Sequence, residues 1–286
     1  MNDQKMAVEI VWNRPSLNIY HLADVHVGAA AFSEEAAAAA VAKISADPDA
    51  LVLGGGDYIE AVAPTDRRWD PAELSSPITE ELLGNPFYVQ ALRFAKIFEP
   101  IRDKIHVLIP GNHEYTAARR FYIEPTTIMA ERLSAKVCGL STLCTWIRII
   151  WRQSSRTRTT YTIYLAHGHG GGELAGGLAL KLERTLYRKD ADLVLIGHHH
   201  RPAFLHKQIE AVGTKGHIWD RTRVGVIGYP MCSGHNYIAR SSGENAPQGM
   251  AITHVDFATN QTPSVSVTFD VFSQSDPGAK RNHKNA

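Results

Sequence analysis

The chain is poor in cysteine, lacks any long apolar run and carries almost no net charge. Its three cysteines, Cys138, Cys144 and Cys232, form no CxxC pair. That excludes a zinc ribbon and a disulfide framework, and free thiols in a reducing cytosol are expected. No apolar stretch approaches the length that spans a bilayer. Residues 1–9 are polar and lack the apolar core of a signal peptide. A cytoplasmic protein with no membrane partner is the expectation. A formal net charge of +1 excludes a general electrostatic affinity for nucleic acid, though not a local basic surface. Internal repeats and low-complexity linkers are also missing, and nothing in the sequence speaks to oligomeric state.

What is present is 286 residues, 44% of them hydrophobic, and 14 histidines. This is enough to bury a sizeable core. One domain is expected over 1–272, followed by a polar, disordered tail over 273–286 that holds Pro277 and Gly278. Short β-branched runs alternate with helical patterns, the signature of an α/β protein. Strands are expected at 17–22, 51–53, 105–109, 146–151, 161–165, 193–196, 224–227, 250–257 and 265–272. Helices are expected at 33–46, 88–98, 125–135 and 178–187. From residue 146 onward the strands are joined by shorter turns, which predicts antiparallel pairing. The basic run 152–159 reads as a hairpin loop, either a solvated turn or a contact to a polyanion.

Metal-ligand residue types recur in order: Asp24-Val25-His26, Gly56-Asp57, Gly111-Asn112-His113-Glu114, His167-Gly168-His169 and Gly197-His198-His199-His200. Asp24, Asp57, Asn112, His167 and His198 each follow an expected strand, so five strand ends bring them to one edge. Imidazole and carboxylate suit manganese, iron, zinc or nickel, and a ligand set without thiolate argues against copper(I). On an extended segment Asp24 and His26 point the same way and can share one metal, as can His198 and His200. His199 then points to the other side, and His169 is ambiguous in the same way. Asp57, alone between the two pairs, reads as the bridge.

This ordered series, D-x-H, G-D, G-N-H-E, H-G-H, G-H-x-H, resembles the calcineurin-like metallophosphoesterase superfamily over about residues 17–201. The nearest general resemblance is to phage and bacterial members related to the DNA-repair nuclease branch. The resemblance implies a β-sandwich of two mixed sheets flanked by helices, in α/β/β/α order. It implies two divalent metals, manganese first, with iron, zinc or nickel as alternatives. Asp24, His26, Asp57 and His200 would hold one, and Asp57, Asn112, His167 and His198 the other. A metal-bridging hydroxide would attack phosphorus while His113 acts as general acid. In related serine/threonine phosphatases an aspartate three residues after the bridging one orients that acid. Glu60 occupies this position, and it either pairs with His113 or is a surface glutamate.

Those phosphatases follow that aspartate with a phosphate-clamping arginine, where this chain has Ala61. The loss favours diesters, which carry one charge fewer. Arg120 could substitute, or could sit on a helix surface. The stretch 61–86, with Arg67, Arg68 and Trp69, reads as a substrate-facing loop. His235, in the loop 228–237, is a second candidate for touching substrate. The expected partner is a phosphate ester, a nucleotide or nucleic acid among the options. The alternatives are a phosphomonoesterase acting on a small metabolite or nucleotide, and a catalytically silent scaffold of the same fold.

Overall fold

A computed structural model describes residues 6–62, 85–153, 158–170, 174–212, 216, 218–232, 247–257 and 263–272. Among the described residues twelve strands form two six-stranded mixed sheets. The first sheet contains β2 (Ser16–Ala23), β3 (Ala50–Gly56), β4 (Ile105–Leu108), β5 (Lys136–Val137), β11 (Gly249–Asp256) and β12 (Ser264–Val271), in the order β12-β11-β2-β3-β4-β5. The second contains β1 (Val8–Trp12), β6 (Cys144–Arg152), β7 (Arg158–Ala166), β8 (Leu193–Ile196), β9 (Ala203–Val212) and β10 (Ile218–Ile227), in the order β1-β6-β7-β8-β10-β9.

The sheets pack face to face. Leu17, Ile19, Leu51, Leu53 and Val107 from one meet Ile147, Ile149, Ile163, Leu193 and Val224 from the other. Alternate residues of β2 point the opposite way, so Tyr20 and Leu22 join a second core. That core is closed by α1 (Glu34–Ala46), α2 (Pro86–Phe98) and α4 (Pro125–Leu133). The outer face of the second sheet is covered by α5 (Ala175–Arg188), whose Leu178, Leu182 and Leu186 recur every four residues. The layers therefore run helix, sheet, sheet, helix, as expected.

Local chemistry explains the element limits. The Ser33 hydroxyl accepts from the Ala36 N–H at 3.1 Å and starts α1. Asn85 and Pro86 start α2 in the same manner. Ser134, at φ +56, ends α4 two residues before the expected boundary. Strands β3 and β8 are buried along their whole length, which suits central parallel positions.

The structure adds four elements the sequence pattern did not reveal. Helix α3 (Asn112–Phe121) buries only His113, Glu114 and Ala117, so it has no apolar stripe to read. Strand β9 alternates half-buried and exposed residues and includes Lys207, Gln208 and Glu210. Strands β1 and β5 are only five and two residues long. The expected antiparallel pairing of the second half holds for β6–β7, β9–β10 and β11–β12. It fails for β7–β8 and β8–β10, which are parallel. For the first, α5 carries the chain from the end of β7 back to the start of β8; for the second, β9, antiparallel to β10, makes the return.

Among the described residues no helix is long and apolar enough to cross a membrane. Residues 63–84 of the long loop, 154–157 of the basic turn, His235 and the 273–286 tail lie outside the described residues.

Candidate metal centre

Five strand ends converge on one edge. Asp24 and His26 follow β2, Asp57 follows β3, Asn112 opens α3 after β4, His167 follows β7, and His198 and His200 follow β8. Asp24, His26, Asp57, His198 and His200 all have φ between +52 and +72. Each such residue costs on the order of 1–3 kcal/mol, a strain typical of functional sites. This corrects the expected reason for pairing at two-residue spacing. Asp24 and His26 do approach each other, but through left-handed turns and not through the alternation of a strand.

Ligand atoms of Asp24, His26 and Asp57 lie within 4.8 Å of one another, and so do those of Asp57, His167 and His198. Asp57 belongs to both groups. In the first, His26 Nδ1 lies 3.1 Å from a carboxylate oxygen of Glu60. A carboxylate only accepts, so neutral His26 carries its proton on Nδ1 and leaves Nε2 as a bare lone pair. That Nε2 faces His200 Nε2 at 3.2 Å, and Asp24 Oδ1 lies 3.4 Å from the same His200 nitrogen. Lone pairs and a carboxylate thus point at a common space.

In the second group His167 Nδ1 donates to the Gly55 carbonyl at 2.8 Å. Its Nε2 then faces Asn112 Oδ1 at 2.9 Å and Asp57 Oδ2 at 3.1 Å, two further acceptors. Burial alone would lower the His167 pKa, but the charge of Asp57 overrides it and raises it to about 10. A proton on Nε2 satisfies both of these acceptors, and a bound cation would do the same. Similarly, burial raises the Asp24 carboxyl, yet His200 beside it draws it down to about 2.

His113 and Glu114 tie these groups together. The His113 N–H donates to Asp57 Oδ1 at 2.9 Å, and its Nδ1 donates to the backbone carbonyl of Glu60. Glu60 thus meets His113 through its backbone carbonyl, and its carboxylate, which bonds His26, lies within 4.8 Å of ligand atoms of both histidines. Glu114 is 1% exposed and accepts from the N–H groups of Asp57, Tyr58, Ile59 and Gly111 at 2.7–3.0 Å. It thereby fastens the Asp57 turn to the start of α3. Both motif glycines are required here: a Cβ on Gly111 would overlap the Asp57 carboxylate, and Gly56 sits at φ +93 against Gly111. Replacing Glu114 with alanine strands four buried donors. The expected loss is about 3 kcal/mol or more, to be read from the denaturant midpoint.

The calcineurin-like phosphoesterase family model matches residues 17–202, from β2 to just past His200. The chain belongs to the calcineurin-like phosphoesterase family. No curated protein matches it. Similar solved structures include a predicted phosphoesterase of Streptococcus pneumoniae TIGR4, 13% identical over 90% of this chain and 91% of that one, with a TM-score of 0.39. Vps29 of Entamoeba histolytica, complexed with zinc, is 11% identical over 90% and 100% of the two chains, with a TM-score of 0.34. Vps29 of Chaetomium thermophilum is 10% identical over 91% and 98%, with a TM-score of 0.35.

Calcineurin-like phosphoesterases use divalent metals, and the donors on this edge fit them. Two sets of imidazole nitrogens and carboxylates converge and share Asp57, and no lysine or arginine is among the ligand atoms named above. One consequence is measurable. A metal at His167 must displace the proton held there up to pH about 10. Metal affinity is therefore expected to rise roughly tenfold per pH unit between about pH 7 and 9, as read by calorimetric titration of chelator-stripped protein.

The remaining family-motif positions sort themselves by contact. Burial, with the Lys181 ammonium beside it, lowers His199 to about 4, so its neutral Nε2 accepts from Lys181 at 3.1 Å. Lys181 also donates to the His169 carbonyl at 3.0 Å. These contacts link the two histidine-rich loops to α5. Arg120 is exposed near the end of α3, about 12 Å of helix rise beyond Asn112. Cys232 went unnoticed as a site residue. It is fully buried, with Sγ 3.9 Å from His200 Nδ1. The signal in the sequence was the small-residue loop after β10, which contains it.

Proposed function

We propose that the chain is a two-metal phosphodiesterase. Asp24, His26, Asp57 and His200 hold one cation, and Asp57, Asn112, His167 and His198 the other. Manganese is assigned first, with iron, zinc and nickel as alternatives that accept the same oxygen and imidazole donors. Two such cations supply an acidified water and neutralise charge on the phosphoryl oxygens. The protein's own part is to orient and to move a proton. His113 is held through Nδ1 by the Glu60 carbonyl, so Nε2 is the nitrogen that delivers a proton to the leaving oxygen.

The observation that carries this reading is Asp57, whose carboxylate belongs to both donor groups and accepts from the His113 backbone. The preference for diesters rests on Ala61. It is 3% exposed, at φ +44, and its N–H donates to Gln90 at 3.0 Å. No guanidinium can stand there to clamp a second phosphate charge. The test compares kcat/KM on bis-p-nitrophenyl phosphate and p-nitrophenyl phosphate, with manganese, nickel, zinc and magnesium each restored to stripped protein. A ratio favouring the diester supports the reading. A ratio favouring the monoester would assign the chain to phosphomonoesters of metabolites or nucleotides.

A further inference from the structure

Three of the four candidate histidine ligands differ in what meets the nitrogen turned away from the cluster. His26 has a carboxylate, Glu60, at 3.1 Å. His167 has a backbone carbonyl, Gly55, at 2.8 Å. His200 has a sulfur, Cys232, at 3.9 Å. Such partners select the tautomer and aim the lone pair, and losing one typically weakens metal binding about 10–100-fold.

We propose that Cys232 is the positioning residue for His200, and so for the first cation only. This rests on the two-metal reading above. The sulfur lies 3.9 Å from His200 Nδ1; in the proposed role it accepts from Nδ1–H, the tautomer that leaves Nε2 bare and directed at Asp24 and the His26 nitrogen. The sulfur is itself fixed on both sides. Met231 N–H donates to the Asp24 carbonyl at 3.1 Å, and Cys232 pairs with Phe32 in an antiparallel bridge. The segment carrying the thiol is thus tied to the loop that carries Asp24 and His26. Sγ also lies within 4.8 Å of ligand nitrogens of both His26 and His200, so the side chain borders the first donor group. Cys138 and Cys144 are half-buried and lie elsewhere, which makes them internal controls.

The experiment titrates manganese and cobalt(II) into chelator-stripped wild type, Cys232→Ala, Cys232→Ser and Cys138→Ala, following stoichiometry by calorimetry and the cobalt spectrum. The wild type is expected to take two ions with no thiolate-to-cobalt charge-transfer band. Cys232→Ala is expected to bind one ion unchanged and the other about 10–100-fold more weakly. Cys232→Ser, which keeps a hydrogen-bond acceptor, is expected to recover part of that loss, and Cys138→Ala to match wild type. Equal affinities in wild type and both Cys232 variants would overturn the inference while leaving the two-metal reading intact. A thiolate band lost in Cys232→Ser would overturn it too, by making the sulfur a direct ligand. If the alanine variant fails to fold, the serine variant and the wild-type spectrum still decide. A wild type that binds no metal would instead sink the reading on which the inference rests.

Discussion

Replacing His113 with glutamine is expected to lower kcat about 10²- to 10⁴-fold on a diester whose leaving group is an alkoxide, with both metals still bound. The argument starts from the ring contacts. Nδ1 is committed to the Glu60 carbonyl, and the ring stands 4.8 Å from that of His26, edge to face, beside the first donor group. An alkoxide is a poor leaving group until it is protonated, so its departure depends on the acid. The 4-nitrophenolate anion leaves without a proton. On bis-p-nitrophenyl phosphate the same variant should therefore lose far less. Steady-state kinetics on the two substrates, with metal content measured alongside, gives the check. Equal losses on both substrates would make His113 a group that positions substrate, not one that transfers a proton.

Replacing Asp57 with asparagine is expected to weaken both metal sites by more than the roughly 10–100-fold that a supporting partner costs, and to take hydrolysis with them. Asp57 belongs both to the group with Asp24 and His26 and to the group with His167 and His198. Folding should survive. Asparagine is well tolerated at positive φ, and Asp57 sits at φ +53. The backbone there is held by Glu114, since the residue 57 N–H donates to that carboxylate at 2.9 Å. The loss would then be one of charge and coordination, separable from unfolding by a thermal melt of the metal-free proteins. A variant that kept one tight site would show that the two groups do not share this carboxylate.

Much of this architecture was legible because the central strands are short apolar runs ending in metal-type residues. Strand 193–196 was read to the residue, and its buried pattern leaves no alternative to a central position. The arrival of Asp24, Asp57, Asn112, His167 and His198 at one edge followed from strand ends alone. Helix α3 was not legible, because its inward face is His113, Glu114 and Ala117, a polar stripe that no hydrophobic period reveals. The left-handed turns at Asp24, His26, His198 and His200 were not legible either. Positive φ is expected of glycine, and here the strain falls on ligands. The Glu60 contacts depend on which atom of a residue faces which ring, and sequence spacing cannot distinguish a carboxylate from a carbonyl. Cys232 was invisible because its partner, His200, lies 32 residues away.

The most direct test is a stepwise metal titration of chelator-stripped protein, with bound metal and bis-p-nitrophenyl phosphate hydrolysis followed in the same samples. The account predicts two ions per chain and hydrolysis that appears as the second site fills, with neither seen in Asp57→Asn at the same metal concentration. Full hydrolysis at one ion per chain, or two ions bound as tightly in Asp57→Asn as in the wild type, would contradict it.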